Sequence, residues 1–304
     1  MSDVQAAADA IRSAFPKLEV RSNEPMKNHT SLKIGGAVTA MLFPRDAAAL
    51  RGVLALLSRR GVTPLILGNG TNLLVQDAPL ELIVLKTTGL SGIRLSGGTI
   101  RADCGVTLSR LAGFAAERGL SGLEFAHGIP GTLGGAAHMN AGAYGGEMRF
   151  IVESAEVAAQ NGRVFRLANA ELDFSYRHSR FCDTGEVAAS CVLRLHRGEP
   201  EAIRAKMNAL AEKRRASQPL ELPSAGSAFK RPAAGYAAAL IEQSGLKGFS
   251  VGGAQVSEKH AGFIVNRGGA SFSDVLGVLD HVRETVFRQS GAELSPEIKI
   301  IRRK

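Results

Sequence analysis

The stretch Gly128-Ile129-Pro130-Gly131-Thr132-Leu133-Gly134-Gly135-Ala136-Ala137-His138-Met139-Asn140-Ala141-Gly142-Ala143-Tyr144-Gly145-Gly146 holds seven glycines in nineteen residues. Glycine loses more freedom on folding than any other residue, so an ordered run this rich in it needs a reason. Two reasons stay open on the run alone. Bare backbone N–H groups close on an anion, usually phosphate, or the run is a set of tight turns in a β-rich domain. Upstream, Leu67-Gly68-Asn69-Gly70-Thr71-Asn72 follows a short apolar strand, Pro64 to Leu67. It is neither G-x-G-x-x-G nor a P-loop, since no Gly-Lys-Ser/Thr follows. Taken together, the two glycine segments read as a dinucleotide site across two loops, outside the Rossmann pattern.

Working outward, Asp46 to Arg60 and Thr107 to Arg118 read as capped amphipathic helices stopped by Gly61 and Gly119. Leu82 to Leu85 and Val187 to Leu195 read as strands, and Asn161-Gly162 marks a hairpin within Glu153–Leu167. Beyond Arg197-Gly198-Glu199-Pro200 the composition shifts to a polar helix, Glu201 to Ser217. A Gly/Ser/Pro loop from Pro219 to Pro232 follows, then a helix at Ala237–Ser244 and a strand at Phe263–Asn266. An amphipathic helix, Ser273–Gln289, and a strand, Glu297–Ile301, close the pattern. The expected fold class is α+β, with residues 1–30 as an N-terminal helix and lead-in, then 31–196, then 197–304.

Length 304, 45% apolar residues and 35 glycines bound the class to a globular protein of about two domains rather than a fibre. The net charge of +9 favours anionic partners. The Lys and Arg residues are scattered and not interleaved with aromatics, so no nucleic-acid partner is expected. Three cysteines without metal or redox spacing suit a reducing, cytoplasmic setting. Residues Met1 to Phe15 lack an apolar h-region, and no run approaches membrane-spanning length, so neither a secretory signal nor membrane insertion is expected.

Ser227-Ala228-Phe229-Lys230 spells S-x-x-K, the acyl-serine signature. Pro232 opposes the helix that signature needs, and no S-D-N or K-T-G box follows it. Tyr176-Arg177-His178-Ser179-Arg180 is a polar cluster that suits carboxylate or phosphate capture, or a solvated turn. Glu297 is either solvent-facing or the buried partner of an arginine. There is no HExxH and no Cys/His cluster, so no metal is expected.

In this order, these segments resemble the UDP-N-acetylenolpyruvoylglucosamine reductase family, second subtype. The resemblance is carried by Asn28-His29-Thr30-Ser31-Leu32-Lys33-Ile34-Gly35-Gly36, the Gly68 loop, Gly122 through Gly146 and Tyr176-Arg177-His178-Ser179. It continues through Gln218-Pro219 to Pro232, Leu246-Lys247-Gly248, Gly252 through Phe263 and Pro296-Glu297-Ile298. It implies an FAD-binding region of the vanillyl-alcohol-oxidase type over 31–196, itself two subdomains, and a smaller α/β substrate domain over 197–304. It implies that Gly68, Asn69, Gly70, Thr71, Asn72, Gly128, Ile129, Pro130, Gly131, Gly134, Gly135, Asn140 and Gly142 hold FAD. The first loop contains no His or Cys, so the FAD is expected to be non-covalent.

The implied reaction is NADPH-dependent reduction of UDP-N-acetylglucosamine enolpyruvate to UDP-N-acetylmuramate. Arg177 and Glu297 carry over as stabilisers of charge on the substrate carboxylate, and Ser227 as proton donor to the α carbon. Tyr176, Arg214 and Lys230 are the expected substrate contacts; for the UDP diphosphate the sequence does not choose among Lys213, Arg214 and Arg215. A monomer is expected. The alternatives are a non-covalent FAD hydroxy-acid or alcohol oxidase and the S-x-x-K acyl-enzyme. His127 departs from the pattern, which expects a small residue there; it is either solvent-facing or in contact with FAD.

Overall fold

The computed structural model describes residues 2–303. Its contacts divide the chain into two units. Among the described residues the first comprises 2–23, 39–69 and 81–212, and the second 24–38, 70–80 and 213–303.

The first unit is built on two sheets. One has the strand order Glu19–Pro25, Ala37–Phe43, Leu80–Lys86, Leu65–Leu67. Its last pair is parallel, with Leu67 opposite Lys86. The helix Ala47–Arg59 packs its Leu50, Val53, Leu54 and Leu57 into a core with Ile83 and Leu85. Asp46 caps that helix by accepting from the Ala49 N–H at 2.8 Å, as its position predicts. The other sheet has the order Val164–Ala168, Val152–Ala158, Val187–Arg194, Thr99–Asp103, Ile93–Ser96. It forms a second core with Leu108, Leu111 and Ala115 of the Leu108–Ala116 helix. The predicted Asn161-Gly162 hairpin forms, and Gly162 has a φ of 80°.

The second unit has its own core, in which Val275, Val278, Leu279, Val282 and Val286 of the Phe272–Ser290 helix pack on a four-stranded sheet. That sheet runs Ser224–Ser227, Phe263–Asn266, Ala254–Val256, Ser250–Val251. A boundary at residue 197 falls inside the first unit, and the second takes in two early segments. The physical cause is long-range backbone pairing. Lys299–Ile301 lies parallel to Leu73–Val75. The buried Asn266 amide donates to Leu32 O at 2.9 Å and accepts from the Gly268 and Ala270 N–H groups.

Two elements differ from the pattern expected of their sequence. Residues Leu133–His138 form a short helix inside the glycine run, because Thr132 caps it and accepts from the Gly135 N–H. Ser224–Ser227, in the expected Gly/Ser/Pro loop, is a strand. No helix among the described residues is long and apolar enough to cross a membrane.

Candidate active site

The two glycine segments meet within the first unit. Asn69 Nδ2 donates to Pro130 O at 2.8 Å, a contact spanning 61 residues. The approach is close: a Cβ built on Gly68 would lie 2.4 Å from Thr132 Oγ1. Gly70, at φ +65°, is equally constrained in the second unit, where a Cβ would meet His29 O at 2.0 Å. The N–H groups of Gly68, Asn69, Gly70, Thr71 and Asn72 find no acceptor among the described residues. A turn of unspent N–H groups, with Gly70 at φ +65°, suits an anion such as a diphosphate.

The later run divides into bases of different kinds. Gly128 and Pro130 are exposed and Ile129 is half-buried. Pro130 has no N–H and contributes through its carbonyl to Asn69. Gly131 O accepts from Leu108 N at 3.0 Å, leaving its N–H without an acceptor among the described residues. Gly134 is a packing glycine rather than an anion donor: its N–H is spent on Cys104 O at 2.8 Å, and a Cβ would lie 2.7 Å from Cys104 Cβ. Gly135 is exposed and its N–H goes to the Thr132 hydroxyl.

Asn140 is also redirected by the structure. It is 1% exposed, at φ 43°. Its amide donates to Glu147 Oε2 and to Ser175 O, both at 2.9 Å, and accepts from Arg149 N at 2.9 Å. Its donors are committed to the protein, so its side chain braces the loop instead of reaching a ligand.

That brace sets the turn that carries Arg177. Ser175 and His178 exchange both backbone hydrogen bonds, at 3.1 and 3.3 Å, with Tyr176 and Arg177 at the tip. Arg177 has φ 55°, a conformation that costs a non-glycine residue about 1–2 kcal/mol. Strain of this kind persists only where the surroundings over-determine it. The surroundings here include Gly142 O, which accepts from Arg177 Nη1 at 3.4 Å. Tyr176 is 50% exposed. Beside the turn, Asp173, His178 and Asp183 bring one ligand atom each to within 4.8 Å of one another, with His178 Nε2 3.1 Å from Asp183 Oδ1.

In the second unit, Ser227 ends its strand opposite Phe263, directly after Gly226 at φ +76°. The register shifts between Ser224 and Ser227, a bulge of the kind that re-aims a side chain. The next residues run beside Glu297: Glu297 N donates to Ala228 O at 2.8 Å and Lys230 N to Ser295 O at 2.9 Å. Asn72 Nδ2 donates to Glu297 O at 3.2 Å, so the end of the first glycine loop abuts the Glu297 backbone. Ser227, Glu297 and Asn72 are all half-buried, and Lys230 is exposed. The extended chain removes the S-x-x-K reading, which needs Ser227 and Lys230 one helical turn apart. Arg214 lies near the end of the Pro200–Ser217 helix and is 9% exposed, whereas its neighbours Lys213 and Arg215 are exposed.

Two titratable groups of the first unit sit beside the later glycine run in sequence. His127 is half-buried, and its Nδ1 is buried with no partner among the described residues. Glu124 is 3% exposed. Burial alone would raise its pKa, but the Ser121 hydroxyl, backbone N–H groups and Lys206 hold it below the ordinary carboxylate value. Glu124 is therefore a structural carboxylate. Sequence reasoning missed Thr132, whose only local signal is a hydroxyl before the helix, and Lys86, which stands opposite Leu67 in register.

A parallel strand end, a glycine turn with unspent N–H groups and a packed α+β frame suit the class of proteins that bind a diphosphate-bearing cofactor. In agreement, residues 38–168 match the FAD binding domain family, and residues 218–301 match the C-terminal domain of UDP-N-acetylenolpyruvoylglucosamine reductase. The chain is 45% identical to the UDP-N-acetylenolpyruvoylglucosamine reductase of Caldanaerobacter subterraneus, over 96% of this chain and 97% of the relative. It is 42% identical to that of Clostridium novyi, over 96% and 95%. The crystal structure of the Thermus caldophilus reductase superposes with a TM-score of 0.80 at 33% identity, covering 94% of this chain and 99% of that one. The chain belongs to the UDP-N-acetylenolpyruvoylglucosamine reductase family.

Proposed function

We propose that this protein reduces UDP-N-acetylglucosamine enolpyruvate to UDP-N-acetylmuramate with NADPH as reductant and non-covalent FAD as carrier, in peptidoglycan precursor synthesis. Full-length similarity to reductases of that name is the observation that carries the reading. The unspent N–H groups of Gly68 to Asn72 support the cofactor. The chemistry FAD supplies when bound is storage and release of a hydride, which the substrate accepts at the alkene carbon β to its carboxylate.

The remaining work falls to side chains. Hydride addition shifts negative charge onto the carboxylate. Arg177, a planar guanidinium on a rigid turn, pairs with that charge, and Glu297, when protonated, donates a hydrogen bond to it. Preorganised donors of this type are worth about 3–4 kcal/mol of barrier each. Ser227 gives its hydroxyl proton to the α carbon. Serine is a weak acid, so the exposed cations Lys230 and Arg231 assist by raising the local positive potential. Gly68, Asn69, Gly70, Thr71, Asn72 and Gly131 hold the FAD diphosphate, with Gly128, Ile129, Pro130, Gly135 and Gly142 shaping the approach. Tyr176, Arg214 and Lys230 contact the UDP-sugar. The protein works as a cytoplasmic monomer serving cell-wall growth, and so cell shape and division.

The test is anaerobic. NADPH should bleach the flavin absorbance, and the enolpyruvyl UDP-sugar should restore it. Return of colour only on admission of oxygen would replace this reading with an oxidase.

A further inference from the structure

Lys86 ends the Leu80–Lys86 strand, in parallel register with Leu67, the residue that precedes Gly68. Two parallel strands therefore finish side by side, one in the Gly68–Asn69 turn and the other in a lysine. In open α/β sheets, ligands gather at the carboxyl ends of parallel strands. The strand ends are tied together, since the Thr87 hydroxyl donates to Leu67 O at 3.2 Å. The Gly68 turn is fixed in turn by Asn69 on Pro130. Lys86 is half-buried, and its ammonium has no hydrogen-bond or ion-pair partner among the described residues. Burial, with no neighbouring charge, lowers it from an ordinary 10.5 to about 8. Lysine is rarely sunk into a protein without a partner, and an anionic ligand is one way to supply it. All these groups lie in the first unit.

We infer that Lys86 is the counter-charge for the FAD diphosphate held at the Gly68–Asn69 turn. The inference rests on the flavin reading above and adds the missing cation to it. Backbone N–H groups alone orient a diphosphate but bring no net positive charge. A lysine on the adjoining strand end brings one, on a rigid element rather than a loop.

The experiment titrates flavin-free protein with FAD and, separately, with riboflavin, which has the same ring but no phosphate, reading flavin fluorescence. Lys86→Met should raise the Kd for FAD about tenfold or more, the loss expected for one charge-assisted contact. The Kd for riboflavin should stay within about twofold of wild type, since no charge is lost there. Lys86→Gln, which keeps polarity without charge, should weaken FAD as Lys86→Met does. An unchanged Kd for FAD in either variant, or equal weakening of FAD and riboflavin, would overturn the inference. Wild-type protein that takes up no FAD would overturn the flavin reading itself, and this inference with it.

Discussion

The loops around Gly68 and Gly131 and the strand end around Ser227 present functional groups by opposite means. The former expose backbone, and their side chains are absent or committed elsewhere: Gly68 has none, and Asn140 is spent on Glu147, Ser175 and Arg149. The latter presents side chains, and its backbone is committed: Ala228, Lys230 and Glu297 all use their N–H groups within the second unit. The difference teaches where substitution hurts. At a backbone site an added atom is harmful, whereas at a side-chain site a removed atom is.

Ser227→Ala should break the side-chain site most severely. Reoxidation of reduced flavin by the enolpyruvyl UDP-sugar should slow by about 10²–10⁴-fold in stopped flow. Reduction by NADPH should stay within about twofold, as the proposed proton-donor role confines Ser227 to the second half-reaction. Equal loss in both halves would make Ser227 structural. Glu297→Ala, which removes the donor, should follow, at about 10²–10³-fold in the second half-reaction. Arg177→Lys should resemble it, because a lysine cannot reproduce the planar fork.

Additions test the backbone site. Gly70→Ala should lower stability by about 2–4 kcal/mol, combining left-handed strain with overlap on His29 O. A thermal midpoint within a degree of wild type would refute the tight approach. Gly68→Ala should weaken FAD more than it unfolds the protein, since the obstructing atom is the Thr132 hydroxyl rather than backbone. Adding Thr132→Ala to it should restore part of the affinity, at a capping cost of about 1 kcal/mol.

The smallest effect concerns pH. The folded-state pKa of Lys86, about 8, lies below its ordinary 10.5, so the unfolded chain binds more protons between those values. The burdened ammonium thus lowers flavin-free stability at pH 7, and the burden is relieved as pH rises through 8 towards 10.5. A thermal midpoint gain in Lys86→Met at pH 7 should therefore shrink by pH 10. A gain that grows with pH would reverse the sign and refute the burial.

Much of the frame was legible in the sequence, because it is written locally. The Asp46 cap, the Asn161-Gly162 hairpin and the apolar stripe of Phe272–Ser290 each depend on neighbours a few residues away. The pairing of the glycine loops was legible in outline, because their composition is extreme. Other features were hidden for physical reasons. The Leu133–His138 helix is poor in helix formers and exists through its cap and packing. The Ser224–Ser227 strand lacks β-branched residues and is held by Phe263–Asn266. The resemblance implies Asn140 and Gly134 as FAD contacts, but a sequence cannot show that the Asn140 amide and the Gly134 N–H are spent on the protein. Lys86 lies just past the expected Leu82–Leu85 strand and carried no signal of its own, because its register with Leu67 appears only once the sheet is assembled.

The parallel pairing of Lys299–Ile301 with Leu73–Val75 has a consequence for synthesis on the ribosome. Residues up to 212 contain both cores of the first unit, so that unit can fold while translation continues. The second unit must wait. Its segments at 24–38 and 70–80 emerge early, yet their partners arrive last, and Asn72 meets the Glu297 carbonyl across 225 residues. Until then the apolar Leu73-Leu74-Val75 strand lacks its neighbour, so its pairing edge stays open for almost the whole of synthesis.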